Sequence, residues 1–313
     1  YRRCLPLLLL LSALLPLAES LRTTNSSAAS EDKEPKGEIF FLMLADDGIA
    51  LEDIWVNFLA AGGKHGLNYR FFIHCTNPEG CKQNITRKDL FELVPTVPSV
   101  YCSDLVSPML ALLAAAYNHS EKGNPHDKFV FVSDNSVPLK PFWKARRILT
   151  VGHEGIASFS WATDEKCGFF KASQWFVLSN WHAGRMLSSA AQKKPKLAHQ
   201  CLDWQCLDEN WPLVAIYGEE ELLKWPTIPR YLKSRPYWWI NWDNPGKMVA
   251  KSKHEGPKGP ATVTSVSRQG LEEWESSEQL LFARKFIRTA TYDGNMSLAE
   301  AFNKYLFKTT THD

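Results

Sequence analysis

The strongest constraint on the fold is a strand–helix–strand pattern in the first third of the chain. The continuous apolar run at 39–44 (IFFLML) ends at turn residues and predicts a strand buried on both faces. Apolar residues at 51–61 recur at helical intervals up to Gly62-Gly63, and 69–74 (YRFFIH) predicts a second buried strand. Two buried strands joined by a helix form a βαβ unit, which indicates a parallel sheet covered by helices.

The same alternation continues along the chain. A helical pattern at 107–117 precedes a short apolar strand at 129–132 (FVFV), and a strand-like stretch passes into a helix within 172–187. We therefore predict one α/β domain over residues 38–313 with a mostly parallel central sheet. Pattern alone fits a small reductase or a hydrolase equally well. Ligands of such sheets bind beyond the carboxyl ends of the strands, which places three polar segments along one rim: 45–48, 74–77 and 133–137.

The N-terminal segment has the features of a secretory leader. Arg2 and Arg3 precede an apolar run of about 14 residues, shorter than the about 20 that span a bilayer. Residues 1–18 are therefore predicted to be a signal peptide or a short signal-anchor, and both deliver the remaining chain to the secretory lumen. Residues 19–37 are rich in Ser, Thr, Glu and Lys, which predicts a disordered stem.

The cysteines agree with an oxidising compartment. Six of the 7 cysteines lie beyond the apolar run, and an even set in the lumen predicts up to three disulfides. The pairings closest in sequence are Cys75–Cys81 and Cys201–Cys206. Zinc binding is the alternative, but the chain has no Cys-x-x-Cys pair and no His-x3–5-His pattern, so no metal is expected.

Overall charge, tryptophan content and glycosylation sequons indicate which partners and compartment to expect. A net charge of +2 gives no reason to expect a nucleic-acid partner. The 12 tryptophans either fill the core or pack flat rings against the apolar faces of sugars. Sequons for N-glycosylation occur at Asn25, Asn84, Asn118 and Asn295.

Five segments resemble one known family in their order and approximate spacing. IFFLMLADDGIALEDIW, followed by YRFFIHC, is similar to the family's opening strand, a loop with a Leu-Trp helix, and a Tyr-x-x-x-x-His strand. DKFVFVSDNSVPLKPF is similar to Phe-Val-Leu-Leu-Ser-Glu-Ser-x-x-Pro-Leu, and KASQWFVLSNWHA to Lys-x-Ser-Gln-Trp-Phe. YGEEELL resembles Tyr-x-Asp-Glu-His-Tyr, and LFARKF resembles Leu-Phe-Ala-Arg/Asn-Lys-Phe. Over about residues 38–290 the chain thus resembles the core-2/I-branching β-1,6-N-acetylglucosaminyltransferases, especially their plant-type relatives.

The resemblance implies a GT-A-type nucleotide-sugar-binding fold and a single-pass type II anchor in the Golgi membrane. It implies inverting, metal-independent transfer of a sugar from a UDP-sugar, with UDP-N-acetylglucosamine as the best candidate, to a glycan acceptor, without a cofactor. A xylosyl- or glucuronosyl-transferring relative is the alternative within the enzyme class. An inactive luminal glycan-binding protein of the same fold is the other alternative, because the Asp-Glu-His stretch is altered here.

Inverting transfer needs a carboxylate that takes the proton of the attacking hydroxyl. Aligned on the family's Asp-Glu pair, Glu220 is the expected base, with Glu219 and Glu221 as its alternatives. The structural alternative is an acidic helix N-terminus, which the helix macrodipole favours.

The departing nucleotide diphosphate needs cations to meet its growing negative charge. No Asp-x-Asp motif is placed to hold a metal, and Lys285, with Arg284 beside it, matches the family's diphosphate-contacting lysine. The alternative is a solvated basic pair at the end of a strand.

The resemblance also assigns residues around the two sugars. Asp134 and Asn135 are expected to line the donor pocket, and the alternative is a polar turn before Pro138. His74 is expected to contact the nucleotide or to be structural. Trp175 is either a stacking platform or a buried core residue. The acceptor side is expected to be shaped by Ser173, Gln174 and Trp175.

Overall fold

A computed structural model describes most of the predicted domain. The described residues are 37–64, 66–101, 103–164, 169–189, 206–222, 232–233, 237–240, 250–253 and 260–307. The strands in this part are β1 (Ile39–Ala45), β2 (Tyr69–Cys75), β3 (Glu92–Leu93), β4 (Lys128–Ser133), β5 (Val137–Pro138), β6 (Ala157–Ser158), β7 (Trp161–Asp164), β8 (Phe169–Ala172), β9 (Val177–Ser179), β10 (Leu232–Lys233), β11 (Trp238–Ile240), β12 (Ala250–Lys253), β13 (Thr262–Val266), β14 (Phe282–Arg284), β15 (Phe286–Tyr292) and β16 (Met296–Ser297). The helices are α1 (Glu52–Lys64), α2 (Pro78–Asn84), α3 (Val106–Tyr117), α4 (Phe142–Thr150), α5 (Asn180–Ser188), α6 (Leu207–Tyr217), α7 (Glu219–Leu222), α8 (Arg268–Ser276) and α9 (Leu298–Tyr305).

The central sheet has seven strands in the order β10-β6-β9-β4-β1-β2-β3. β1 pairs in parallel with both β2 and β4, whereas β9 runs antiparallel to β4 and to β6. The predicted βαβ unit is confirmed as β1, α1 and β2, and the α/β class is confirmed with it. The sheet is mixed because β9 runs antiparallel to both of its neighbours. Assignment to the GT-A type stays a prediction.

Both faces of the sheet are covered, as the continuous apolar runs predict. On one face Phe41 of β1 lies 5.7 Å from Trp55 and 6.3 Å from Phe142, measured between ring centroids. On the other face Phe40 stacks on Phe129 of β4 at 4.8 Å, and α3 packs over them. Fully burying one such side chain contributes roughly 1.5–3 kcal/mol, so these two aromatic layers hold the sheet in place.

A three-stranded sheet, β11-β14-β5, joins the end of β4 to the C-terminal part of the chain. β5 follows β4 after a short turn, and β14 pairs antiparallel with it, Phe282 opposite Pro138 and Ala283 opposite Val137. The next residue, Arg284, is thereby carried towards the turn that ends β4. Two further sheets, β12-β13-β15-β16 and β7-β8, lie outside the central sheet.

The N-terminal predictions fall mainly outside the described residues, since these begin at Gly37. The signal segment at 1–18 and the stem up to residue 36 therefore stay predictions. Gly37 itself is buried, and its carbonyl accepts a hydrogen bond from Arg146 Nη2 at 3.1 Å. The ordered fold thus includes at least one residue that the sequence assigned to the stem. None of the described helices is both long enough and apolar enough to cross a membrane.

Candidate active site

The carboxyl ends of β1, β2 and β4 meet at one rim, as their parallel register requires. Leu44 lies opposite His74 on one side and Ser133 on the other. Hydrogen bonds connect the loops that follow: Asn77 N donates to Asp46 O at 2.8 Å. Asp46 N in turn donates to Asp134 Oδ2 at 3.4 Å. The three polar segments predicted to share an edge are therefore neighbours.

Asp134 and Asn135 form the turn after β4. Burial raises the pKa of the Asp134 carboxyl, and hydrogen bonds from the backbone of Asp46 and Asn135 act in the opposite direction. Ser133 Oγ donates to Asn135 Oδ1 at 2.9 Å, which fixes the amide in the turn. Asn135 O accepts from Phe286 N at 3.0 Å, so this turn is attached directly to the start of β15.

Arg284 supplies a half-buried cation at this rim. Its Cζ lies 4.5 Å from the ring centroid of Trp175, in a cation–π arrangement. Burial lowers the pKa of the guanidinium to about 10, while the charges of Asp134 and Glu209 oppose that change. Arg284 is therefore still protonated at neutral pH. Within the described part of the chain, its buried Nε makes no hydrogen bond.

Lys285 follows directly and lies between the rim and β13. Its carbonyl accepts from Val263 N at 2.6 Å, and its neighbour Phe286 donates to Asn135. The Lys285 side chain is half-buried. The two predicted donor-binding cations thus lie at the end of β14, next to the predicted donor-binding turn at Asp134 and Asn135.

The predicted acceptor residues lie just before β9, whose antiparallel register brings them to the same rim. Phe131 N donates to Phe176 O at 3.0 Å, so Trp175 lies level with the end of β4. Ser173 Oγ accepts from Trp175 N at 3.2 Å. Only 5% of Trp175 is exposed, and Arg284 covers one face of its ring. The buried-core alternative describes this tryptophan better than an open platform, and acceptor binding stays a prediction.

Two acidic residues that the sequence argument missed complete the rim. Gln174 Nε2 donates to Asp208 Oδ2, and Asp208 is fully buried in the first turn of α6. Glu209, half-buried in the same turn, is close enough to Arg284 to act on its pKa. Two acidic residues in a first turn also complement the helix macrodipole.

The sequence did contain a signal for this pair. Asp208-Glu209 is an adjacent Asp-Glu pair followed two residues later by an aromatic residue, Trp211. That pattern is closer to the family motif Asp-Glu-His-Tyr than the three consecutive glutamates at 219–221 are.

Glu220, the predicted base, is not brought to the rim. It is exposed in the short helix α7, beyond Gly218 (φ 85°), which ends α6. At that end of α6 the Tyr217 hydroxyl is 2.8 Å from His182 Nε2. His182 lies in α5, which begins where β9 passes the amino end of β4. Glu209 lies in the first turn of α6, whereas Glu220 follows its last turn. The two residues are therefore separated by roughly the length of this helix, about 16 Å.

His74 is buried at the end of β2. Its Nε2 accepts a hydrogen bond from Val97 N at 3.0 Å, and burial lowers the pKa of the imidazole. The neutral ring therefore attaches the segment after β3 to the sheet, in agreement with the structural alternative. Contact with a nucleotide stays a prediction.

The disulfide and sequon predictions have separate outcomes. Cys75–Cys81 is confirmed, with the two Cα atoms 6.4 Å apart. Cys206 is disulfide-bonded as well, but Cys201 lies outside the described residues, so that pairing stays a prediction. Asn25 also lies outside them. The remaining three sequon asparagines are exposed: Asn84, Asn118 and Asn295.

The described residues contain no group of three or more His, Cys, Asp or Glu side chains able to hold a metal. At the rim, the charge of Asp46 adds to the rise in the pKa of the Asp134 carboxyl. Two carboxylates near the Arg284 guanidinium make a poor cation site. Metal independence nevertheless stays a prediction about the reaction.

Comparison with known proteins gives one informative similarity. No protein-family model matches the chain. A protein of Oryza sativa subsp. japonica named glycosyltransferase BC10 is 25% identical over 239 residues, which cover 74% of this chain. They cover 54% of that relative, so the chain spans about half of the relative's length. The chain is thus similar to a plant glycosyltransferase over about three quarters of its own length.

Proposed function

We propose that this protein is a glycosyltransferase that moves a sugar from a nucleotide-sugar donor to a glycan acceptor at the rim. The observation that carries the proposal is the position of Arg284 over the Trp175 ring, at the carboxyl ends of parallel strands and close enough to Asp134 and Glu209 for both charges to act on its pKa. A half-buried cation near half-buried carboxylates supplies both charges that inverting sugar transfer uses. Similarity to a plant glycosyltransferase supports the same reaction class.

Arg284 and Lys285 act on the leaving group. As the bond from the anomeric carbon to the diphosphate oxygen breaks, the electron pair leaves with the diphosphate and its negative charge grows. A guanidinium held against Trp175 meets that charge without reorganising, which is how fixed cations lower such barriers. Lys285 adds a second positive charge from the adjoining residue.

Glu209 acts as the general base in place of Glu220. Its carboxylate accepts the proton of the acceptor hydroxyl while that oxygen forms the new bond to the anomeric carbon, with inversion. Asp208 has a positioning role, because its bond to Gln174 attaches the first turn of α6 to the rim. Glu220 is exposed in α7, just beyond the other end of α6.

The finer parts of the proposal rest on the resemblance of the five segments. They are UDP-N-acetylglucosamine as donor, a metal-free reaction, a GT-A-type fold and a Golgi membrane location with the domain in the lumen. Transfer of xylose or glucuronic acid would use the same charges with a different donor pocket.

Matched carboxamide variants test the base. Hydrolysis of UDP-N-acetylglucosamine, UDP-xylose and UDP-glucuronic acid is measured in EDTA for the purified full chain, for Glu209→Gln and for Glu220→Gln. We expect Glu209→Gln to lower kcat by roughly 100-fold or more, the usual contribution of a general base. Glu220→Gln should stay within about twofold of the unchanged protein, because its side chain is solvated.

The reverse result would assign the base to Glu220 and refute the role of Glu209. Activity that disappears in EDTA and returns with manganese would refute the metal-free step. A folded protein that turns over no donor, with or without glycan acceptors, would refute transferase function and favour the inactive glycan-binding alternative.

A further inference from the structure

A cleft of about 650 Å³ lies between α4, α8 and α9, away from the residues of the rim. None of the residues assigned above to donor, base or acceptor lines it. Its size falls in the usual range of small-ligand sites, roughly 300–1,000 Å³. The side chains that decide what it can bind are Lys140, Trp143, Lys144, Glu272, Glu275 and Tyr305.

Trp143 supplies an exposed aromatic surface at this cleft. Phe142, Ala145 and Leu149 form the buried side of α4, whereas Trp143 is 40% exposed. The fold does not use this ring fully in its core, so part of the ring is exposed at the cleft. On α9, the Tyr305 ring lies 5.4 Å from that of Tyr292, which adds aromatic surface to the same cleft. Flat rings of this kind pack against the apolar faces of pyranoses.

The charges around the cleft balance. Three basic residues (Lys140, Lys144 and Arg268) and three acidic ones (Glu272, Glu275 and Asp293) line it, and Arg268 Nε donates to Glu272 Oε1 at 2.8 Å. A strongly charged ligand would be attracted by one set and repelled by the other, so net charge selects neither an anion nor a cation. A neutral molecule with many hydroxyl groups can donate to the carboxylates and accept from the cations.

Lys140 places a fixed positive charge beneath the cleft. The residue is 1% exposed, and its Nζ donates to Trp274 O and Glu275 O, the latter at 2.7 Å. These bonds hold the ammonium at the C-terminal end of α8.

We propose that this cleft binds a neutral oligosaccharide, as a second saccharide site separate from the rim. The exposed tryptophan stacks on a sugar ring, and the paired acids and bases hydrogen-bond to its hydroxyls. The site does not depend on the proposed transfer reaction, because binding here requires no donor and no base.

Two tryptophans that are similarly exposed provide a matched test. Isothermal titration of the full chain, without a nucleotide-sugar, uses hexamers of β-linked glucose, mannose, xylose and N-acetylglucosamine as probes. We expect at least one hexamer to bind and Trp143→Ala to weaken that binding about tenfold or more. Trp181→Ala, on α5 with 53% exposure, should leave the affinity within about twofold. Glu272→Gln gives a second variant that removes an exposed carboxylate from the cleft without touching the core, and should weaken binding severalfold.

Absence of binding by every hexamer would overturn the inference. Equal weakening by Trp143→Ala and Trp181→Ala would do so as well, and so would preferential binding of a sulfated oligosaccharide. Donor hydrolysis in the absence of acceptor separates this site from the rim. Trp143→Ala should retain that hydrolysis, whereas Glu209→Gln should lose it and still bind the hexamer.

Discussion

Arg284 shows how one residue combines burial with charge at this rim. Desolvation opposes its protonation, yet Asp134 and Glu209 compensate in part, and the guanidinium Cζ lies over the Trp175 ring at 4.5 Å from its centroid. The planar group thus has a defined orientation before any ligand arrives. In the proposed transfer, such preorganisation would favour charge that develops during the reaction over charge already present in the donor.

Replacing Arg284 with lysine tests whether shape matters in addition to charge. Arg284→Lys keeps the positive charge but removes the contact of the guanidinium with the Trp175 ring. A cation–π contact contributes about 2 kcal/mol at a desolvated site. We expect kcat/KM for donor hydrolysis to fall by roughly tenfold or more. Arg147→Lys, an exposed arginine on α4, is the control. Equal activity of Arg284→Lys and the unchanged protein would show that charge alone suffices.

At the scale of elements, α1 illustrates how packing changes a boundary. The sequence predicts that the helix stops at Gly62-Gly63, but α1 continues to Lys64. Gly62 is buried against Phe142 of α4, and a Cβ at this position would lie 2.6 Å from the ring. Nothing lies within 4 Å of the corresponding position at Gly63. Gly62 therefore permits the close approach of two helices, whereas Gly63 has no such contact.

Alanine at these neighbouring positions should act in opposite directions. Gly62→Ala overpacks the α1–α4 contact and should lower the free energy of unfolding by roughly 1–3 kcal/mol. Gly63→Ala restricts the unfolded chain at an open helical position and should raise it by about 0.5–1 kcal/mol. Urea denaturation of both variants measures the difference. Stabilisation by both substitutions would rule out the close contact with Phe142.

At the scale of the whole molecule, a buried histidine links the sheet to the helices on one of its faces. His182 Nδ1 is 2.6 Å from Ser179 Oγ at the end of β9, and Nε2 is 2.8 Å from Tyr217 Oη in α6. Three elements thus meet at one imidazole. Burial, together with the charge of Lys128, lowers the pKa of His182 to about 3.

This lowered pKa predicts acid sensitivity of the fold. In the unfolded chain His182 binds a proton below about pH 6.5, whereas the folded protein binds it only near pH 3. The unfolded state therefore holds more protons between these values, and the free energy of unfolding falls as the pH drops through this window. The slope from this one group is at most about 1.4 kcal/mol per pH unit.

Urea denaturation between pH 4.5 and 7.5 measures the effect. His182→Gln should be less stable at pH 7.5 but should lose stability less steeply on acidification. His119→Gln, which alters an exposed imidazole, should keep the slope of the unchanged protein. Parallel pH profiles for all three proteins would contradict the assignment to His182.

The sequence by itself determined those features that depend on local pattern. Period and run length predicted β1, α1 and β2, and a separation of six residues predicted Cys75–Cys81. Parallel pairing also predicted that the loops after β1, β2 and β4 lie at the same rim. Each of these features depends on one element or on two adjacent ones. There the order of apolar and polar residues already indicates which side chains are buried.

Only the tertiary structure decided which acidic residues reach the rim. Local pattern cannot say which end of α6 faces Arg284, and the choice between Glu209 and Glu220 depends on that end. The antiparallel insertion of β9 sets the direction, because it places Gln174 at the rim and the start of α5 beside the amino end of β4. Long-range strand pairing and helix packing therefore bring Glu209 near Arg284, because side chains distant in sequence share an environment only when the core closes around them.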